Sequence, residues 1–319
     1  MSKQEAYVGD WKILACKLKN DHPDMSLREI ARQLNKPWAT VWDHMSKYLK
    51  FREVAVEPAE GAVDKSAKIL LLDIECAPTQ AFVWGRFDQT VAQKQVIKEG
   101  YLLTYSAKWL GEPTIYSNRI YEAENDECLV RELAELMDVA DLVVAHNAER
   151  FDVPLIKTRM LALGMNPPSP SKIVDTLRMA KREFRFPSNS LDNIAAYLGL
   201  SRKQSHSGFE LWVKCMQMDD EAFEEMLTYN IQDVVVLEEL YMKLRPWYKT
   251  HPNVALYGPA DKPRCVCCGS DKLSKIDKKY YTNVSEFDVY KCVDCGKMNR
   301  SRMNTSEHTK QNTLTNVGK

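Results

Sequence analysis

Residues 68–78 read Lys-Ile-Leu-Leu-Leu-Asp-Ile-Glu-Cys-Ala-Pro, and this stretch constrains the fold more than any other. A short aliphatic run bounded by a Lys-Ser-Ala-Lys segment and a proline predicts a buried strand. Strand side chains alternate, so Ile69, Leu71, Asp73 and Glu75 share one face while Leu70, Leu72 and Ile74 share the other. Asp73 and Glu75 then stand roughly 7 Å apart on a face that is otherwise apolar. Buried like charges repel by on the order of 4 kcal/mol at 4 Å with an effective dielectric near 20. Either the strand end reaches water and hydrates both carboxylates, or a divalent cation bound by hard oxygens compensates them.

The chain around this strand alternates further strands with helices, which predicts an α/β domain. Strands are expected at 101–109 and 114–120 around a Gly-Glu-Pro turn, at Asp141–His146 as a continuous apolar run, and at Lys172–Val174. Helices are expected at 124–139, 153–163 and 189–198, the last closed by Gly199. Asp152 opens the helix at 153, where an N-cap is the plain structural role for it. The segment Ser201–Gly208 carries Arg202, Lys203 and His206 and reads as a basic loop able to approach a phosphate.

A long helix from about Asp219 to Lys243 places Met226, Tyr229, Asp233, Val236 and Leu240 on one stripe. Phe223, Leu227, Val234, Leu237 and Tyr241 flank it, and Glu224, Glu225, Thr228, Gln232, Glu238 and Glu239 form the expected wet side. Asp233 thus lies within a face that ought to be core, and no basic residue shares its stripe. An uncompensated carboxylate there would cost several kcal/mol, so it requires a cation. Tyr229, one turn earlier, overhangs the same spot.

Taken together, Asp73-Ile74-Glu75, Asn147 with Phe151-Asp152, and Tyr229-Asn230-Ile231-Gln232-Asp233 resemble the three exonuclease motifs of the DEDD superfamily, tyrosine subtype, on an RNase H-like fold. Proofreading domains of family B DNA polymerases and stand-alone exonucleases, phage-encoded ones included, belong to that subtype. The resemblance covers about 68–245, without a polymerase domain. It implies that Asp73, Glu75, Asp152 and Asp233 hold two Mg²⁺ or Mn²⁺ ions and that Tyr229 orients the attacking water. It further implies that Asn147 and Phe151 contact the terminal nucleotide and that degradation runs 3′ to 5′. Cys76 departs from the Thr or Ser that commonly follows the Glu, which weakens the case for a 3′-end contact there.

Both ends carry basic modules around an acidic middle. Residues 1–52 hold ten Lys/Arg against six Asp/Glu, and 261–319 hold twelve against seven, while 53–260 hold 22 against 31. Within 1–52, a helix at 10–20 precedes Ser26 with Glu29 as a capping box, a helix to about Leu34, an Asn-Lys-Pro break, and a helix from Pro37 through Tyr48. This pattern reads as a helix-turn-helix, with Ala31, Asn35 and Val41 at its small, turn and apolar positions. Its second helix would offer Trp38, Thr40 and Lys47 to nucleic acid; a small bundle making protein contacts is the bland alternative. Residues 53–67 read as a linker, as do 248–261.

At 262–302, Cys265-Val266-Cys267-Cys268-Gly269 and Cys292-Val293-Asp294-Cys295-Gly296 repeat Cys-x-x-Cys-Gly, with 23 residues between Cys268 and Cys292. Cys265, Cys268, Cys292 and Cys295 are the expected ligands of one structural zinc, in a zinc ribbon, with Cys267 spare. A hairpin is expected from Tyr280–Asn283 and Glu286–Lys291. Lys275, Lys278, Lys279, Lys297, Arg300 and Arg302 form either a nucleic-acid grip or a solvated face. The tail, 303–319, is expected to be disordered.

The reading is therefore an RNase H-like α/β exonuclease domain at 68–247, with a small all-α N-terminal domain and a C-terminal zinc ribbon. The expected partner is nucleic acid, DNA before RNA, with replication or repair proteins as candidate associates. With no hydrophobic leader and no apolar run near 18 residues, a cytoplasmic protein of a bacterium or phage-infected cell is expected, with no membrane association. Two alternatives use the same motifs: a helix-turn-helix regulator with an inert nuclease-like core, and a structure-specific endonuclease.

Overall fold

A computed structural model describes residues 67–201, 207–259 and 261–306, together with 25–37, 39–41 and scattered positions elsewhere. Its central strand is β1 (Ile69–Cys76), the aliphatic run that carries Asp73 and Glu75. β2 (Leu102–Trp109) and β3 (Thr114–Arg119) form an antiparallel meander on one side of it. β4 (Leu142–Ala145) and β5 (Lys172–Asp175) extend the sheet in parallel on the other side. The order is β3-β2-β1-β4-β5, and Val54–Ala55, within the segment read as a linker, adds a two-residue edge against β3.

The predicted alternation along β1 divides two cores. Leu70, Leu72 and Ile74 join one, together with Leu129, Leu133 and Met137 of α2 (Glu127–Val139) and Ile156 and Met160 of α3 (Asp152–Ala162). Ile69 and Leu71 join the other, with Met179 and Ala180 of α4 (Thr176–Glu183) and Leu191, Ile194 and Ala195 of α5 (Leu191–Leu198). Each fully buried leucine of β1 contributes about 1.5–3 kcal/mol, so a one-residue register slip is costly. Ser190 accepts the Asn193 N–H to start α5, and Gly199, at φ 65°, ends it.

Two helices, α4 and α6 (Phe209–Met216), lie where no helix was expected. The long helix α7 (Asp220–Leu244) begins at the Asp219 cap, as expected. It joins both cores, through Phe223 and Met226 in the first and Val234, Leu237 and Leu240 in the second. Glu238 corrects the expected wet side. It is buried and pairs at 2.8 Å with the equally buried Lys108 of β2, while accepting the Gly111 N–H at 3.0 Å. Its cation comes from a strand, which the periodicity of the helix cannot reveal.

In the N-terminal region, α1 (Leu27–Gln33) starts at Ser26, whose hydroxyl accepts the Glu29 N–H. Asn35 turns the chain at φ 51°. Ala15, Ile30, Ala31, Val41 and Met45 are buried in one small core that also takes in Tyr121. Thr40 is helical and exposed, whereas Trp38 and Lys47 lie outside the described residues.

At the C-terminal end, β6 (Leu273–Tyr281), β7 (Glu286–Cys292) and β8 (Met298–Asn304) form a three-stranded antiparallel sheet with β7 in the middle. The expected hairpin is thus longer and gains a third strand, which reaches into the segment expected to be disordered. Lys297 is not available to grip a phosphate, because it is buried and donates to the Tyr248 carbonyl at 2.8 Å. The Val254 N–H donates to the Val266 carbonyl at 3.0 Å, and Tyr248 and Val254, in the segment read as a linker, are buried in the second core, so that segment ties this module to the central domain. No described helix is long and apolar enough to cross a membrane.

Candidate active site

β1 pairs with β4 only as far as Leu71, so Asp73 and Glu75 project from the part of the strand that has outrun its parallel neighbour. Asp233, 3% exposed, comes to them from α7. One carboxylate oxygen from each of Asp73, Glu75 and Asp233 lies within 4.8 Å of the others. At that separation each pair of charges repels by about 3–4 kcal/mol with an effective dielectric near 20. The crowding expected from sequence is therefore present for these three residues.

Neutral donors orient two of them. The Asn230 amide donates to Asp73 Oδ2 at 2.6 Å, and its own carbonyl accepts the Thr104 hydroxyl at 3.4 Å. The Trp212 indole donates to Glu75 Oε2 at 3.2 Å and meets the Tyr229 ring edge-on at 6.4 Å between centroids. Tyr229 is half-buried one turn before Asp233, where the helical spacing puts it.

Asp152 falls outside the trio but is tied to the same strand. It is the first residue of α3, with Phe151 at the cap position, and is 2% exposed. Burial raises its carboxyl to about 7, the Asp175 charge adds to the rise, and a hydrogen bond from the Ile74 backbone opposes it. Ile74 lies between Asp73 and Glu75, so one turn of helix and one stretch of strand bring the fourth carboxylate to the site's edge. Cys76 is held as a thiol, pushed up to about 11 by burial and then by the charges of Glu75 and Asp152.

The loop before Asp152 is braced from below. Asp175, 6% exposed, caps α4 through the Arg178 N–H and also accepts the backbone N–H groups of Asn147 at 3.0 Å and Glu149 at 3.3 Å. His146 bonds Thr176 Oγ1 and the Asn189 carbonyl, both at 2.9 Å. Asn147 takes φ 73°, a left-handed conformation that asparagine tolerates better than most residues. The Phe151 ring is 42% exposed. Beside this loop opens a cavity of about 520 Å³ whose lining mixes Arg150, Arg178, Lys181 and Arg182 with the acids Glu149 and Asp175, Arg178 pairing with Glu149 at 2.6 Å. The basic residues 202–206 lie outside the described residues.

Asn230 and Trp212 are the positioning residues that sequence reading missed, whereas Asp175, following the strand expected at Lys172–Val174, offers in sequence the same choice between cap and site residue as Asp152. Asn230 carried a signal, since a buried amide three residues before Asp233 on an apolar helix face needs a partner. Trp212 carried none, lying on a helix that was itself unforeseen.

The second cluster is built from two like turns. Gly269 and Gly296, at φ 73° and 76°, each return an N–H to the carbonyl of the first cysteine of their turn, Cys265 and Cys292. The Sγ atoms of Cys265, Cys268, Cys292 and Cys295 all lie within 4.8 Å of one another, with 3.6 Å for both Cys265–Cys295 and Cys268–Cys292. Tetrahedral zinc with Zn–S near 2.3 Å requires sulfurs about 3.8 Å apart, so the set is compatible with a zinc site. Cys267 is buried but outside the four. Asn299 donates to Cys265 Sγ at 3.6 Å, and Arg245, 1% exposed, lies in the field of this cluster.

A family model described as RNase_H superfamily matches residues 80–245, about half of the chain. No curated protein matches it in sequence. Among solved structures it is similar to the family B DNA polymerase from the hyperthermophilic archaeon Pyrobaculum calidifontis, at 17% identity and a TM-score of 0.45. That match covers 60% of this chain and 25% of the polymerase, so the chain spans about a quarter of that protein's length.

Proposed function

The chain belongs to the RNase_H superfamily, and from that premise we propose that it is a metal-dependent nuclease that removes nucleotides from the 3′ end of a nucleic-acid strand, DNA in the first instance. The observation that carries the reading is the convergence of Asp73, Glu75 and Asp233 within 4.8 Å, with neutral donors turned toward two of them. Three crowded carboxylates are a hard-oxygen donor set that suits Mg²⁺ or Mn²⁺. Asp73, Glu75 and Asp233 would hold one such ion, and Asp152 with Asp73 a second. Bound there, the ions would supply Lewis acidity for water activation and for the leaving 3′-oxygen.

The rest of the work falls to the chain's own groups. Asn230 and Trp212 fix the rotamers of Asp73 and Glu75, so both carboxylates are oriented before substrate arrives. Tyr229 holds the attacking water by its hydroxyl. Asn147 and Phe151, on the loop braced by Asp175, take the terminal nucleotide, and the neighbouring Arg and Lys side chains attract the backbone. The N-terminal helices, with Thr40 and its expected companions Trp38 and Lys47, and the zinc-bearing module would hold the substrate at a distance from the chemistry.

The decisive test is digestion of end-labelled linear and of circular DNA with Mg²⁺, the Asp73→Asn protein in parallel. Progressive loss from 3′ ends, absent on circles and absent in the variant, is expected. Cleavage of circles would instead favour an endonuclease. Binding without any hydrolysis would favour a regulator with an inert core.

A further inference from the structure

Between β1 and β2 the chain forms an arm that is held by polar contacts while its largest apolar side chains stand in water. Gln80–Ala81 pairs with Val96–Lys98 in an antiparallel ribbon. The Gln95 side chain closes the arm, its amide donating to the Phe82 carbonyl and its Oε1 accepting the Ala92 N–H, both at 2.9 Å. At the base the Ala77 N–H donates to the Tyr101 carbonyl at 2.8 Å, and a Cβ on Gly100 would come within 2.8 Å of the Ala77 carbonyl. Yet Phe82, Trp84 and Phe87 are 76%, 99% and 83% exposed. Folding gains almost nothing from rings left in water, and a cluster of exposed large apolar groups marks an interaction site.

Three features identify what covers them. The arm leaves directly from the end of β1, the strand that carries Asp73 and Glu75, with only Ala77, Pro78 and Thr79 between Cys76 and Gln80. Its most exposed large apolar side chains are flat rings, and every nucleobase offers a π-face to such a ring. Arg86, also exposed, stands between Trp84 and Phe87 in the chain and provides a cation for the backbone phosphates. We propose that Phe82, Trp84 and Phe87 form a stacking platform for unpaired bases on the strand that leads to the carboxylates. This rests on the nuclease reading for its geometry, but it is measurable as binding alone.

The test uses the full chain carrying Asp73→Asn, with Mg²⁺, and a fluorescently labelled short oligodeoxythymidylate. A second probe is a strand of equal length built from abasic nucleotides, which keeps the phosphates and removes the bases. Trp84→Ala should weaken oligodeoxythymidylate binding on the order of tenfold, since one stacked base corresponds to about that factor. Its dependence on salt should be unchanged. The abasic strand should bind the parent and the Trp84→Ala protein equally, and Phe87→Ala should repeat the pattern. Unaltered oligodeoxythymidylate affinity in both variants would overturn the platform and leave the rings to a protein partner or a second copy. An equal loss on the abasic strand would overturn it too, as would a parent that binds neither probe. Retention of the stacking pattern in a chain whose unsubstituted form shows no hydrolysis would uphold the platform while removing the nuclease reading.

Discussion

Asp152→Asn should make the Mg²⁺-free protein more stable, and by an amount that depends on pH. The carboxyl is 2% exposed and held at about 7 against an ordinary 3.8. A folded-state value above the unfolded one means that the folded protein binds the extra proton, so stability is lost as pH rises from about 4 through 7. Moving the carboxyl between those values corresponds to about 4 kcal/mol at pH 8, where the buried group is ionised, and to less than about 2 kcal/mol at pH 5. Asparagine is nearly isosteric and its carbonyl can keep the hydrogen bond from Ile74, so it removes the charge and little else. Urea unfolding followed by tryptophan fluorescence, without Mg²⁺ and without chelator so that any metal on the four cysteines is left alone, should show the gap between the two proteins widening by about 2–3 kcal/mol from pH 5 to pH 8. Comparing the two proteins at each pH cancels the titration of groups that do not interact with Asp152. A gap that stays constant would refute the argument, because burial would then not be setting the protonation of Asp152. With Mg²⁺ the ordering should reverse, as the unsubstituted carboxylate gains a cation.

Other consequences are as direct. Asp73→Asn and Asp233→Asn should each lower hydrolysis by at least about 10³-fold with DNA binding largely kept, checked by end-label digestion alongside gel-shift titration. Asn230→Ala should leave DNA affinity intact but raise the Mg²⁺ concentration for half-maximal rate by about 10–100-fold, the usual penalty for losing a group that orients a metal ligand. Lys108→Met should destabilise the fold by about 3–5 kcal/mol by stranding Glu238, and Lys108→Met with Glu238→Gln should recover part of it in a double-mutant cycle. Cys268→Ser should release zinc, measured by a colorimetric chelator, and expose the β6–β8 module to protease while the central domain resists.

Much of the site was readable because it is encoded locally. The two-residue repeat of β1 put Asp73 and Glu75 on one face, and the stripe of α7 put Tyr229 and Asp233 together, since both periods follow from backbone geometry alone. The same holds for the paired Cys-x-x-Cys-Gly turns, whose glycines take the left-handed φ that closes each turn. Reading failed where a side chain finds its partner across the fold. Glu238 looked wet on its helix because Lys108 is on a strand, and Lys297 looked like a free cation because Tyr248 is far off in the chain. Helices α4 and α6 are as long as α5, but α5 is marked by a serine cap and a closing glycine, whereas neither α4 nor α6 ends on glycine and α6 starts without a side-chain cap.

Sequence alone therefore determined which residues carry charge or sulfur and which face of an element they share, because those properties are set by residue type and by the period of helix or strand. Only the tertiary structure decided which neutral groups orient the acids, as with Asn230 on Asp73 and Trp212 on Glu75 across 157 and 137 residues. It also decided that Asp152 is buried enough to titrate near neutrality. Burial and long-range pairing depend on what the rest of the chain brings alongside, and no local pattern contains that information.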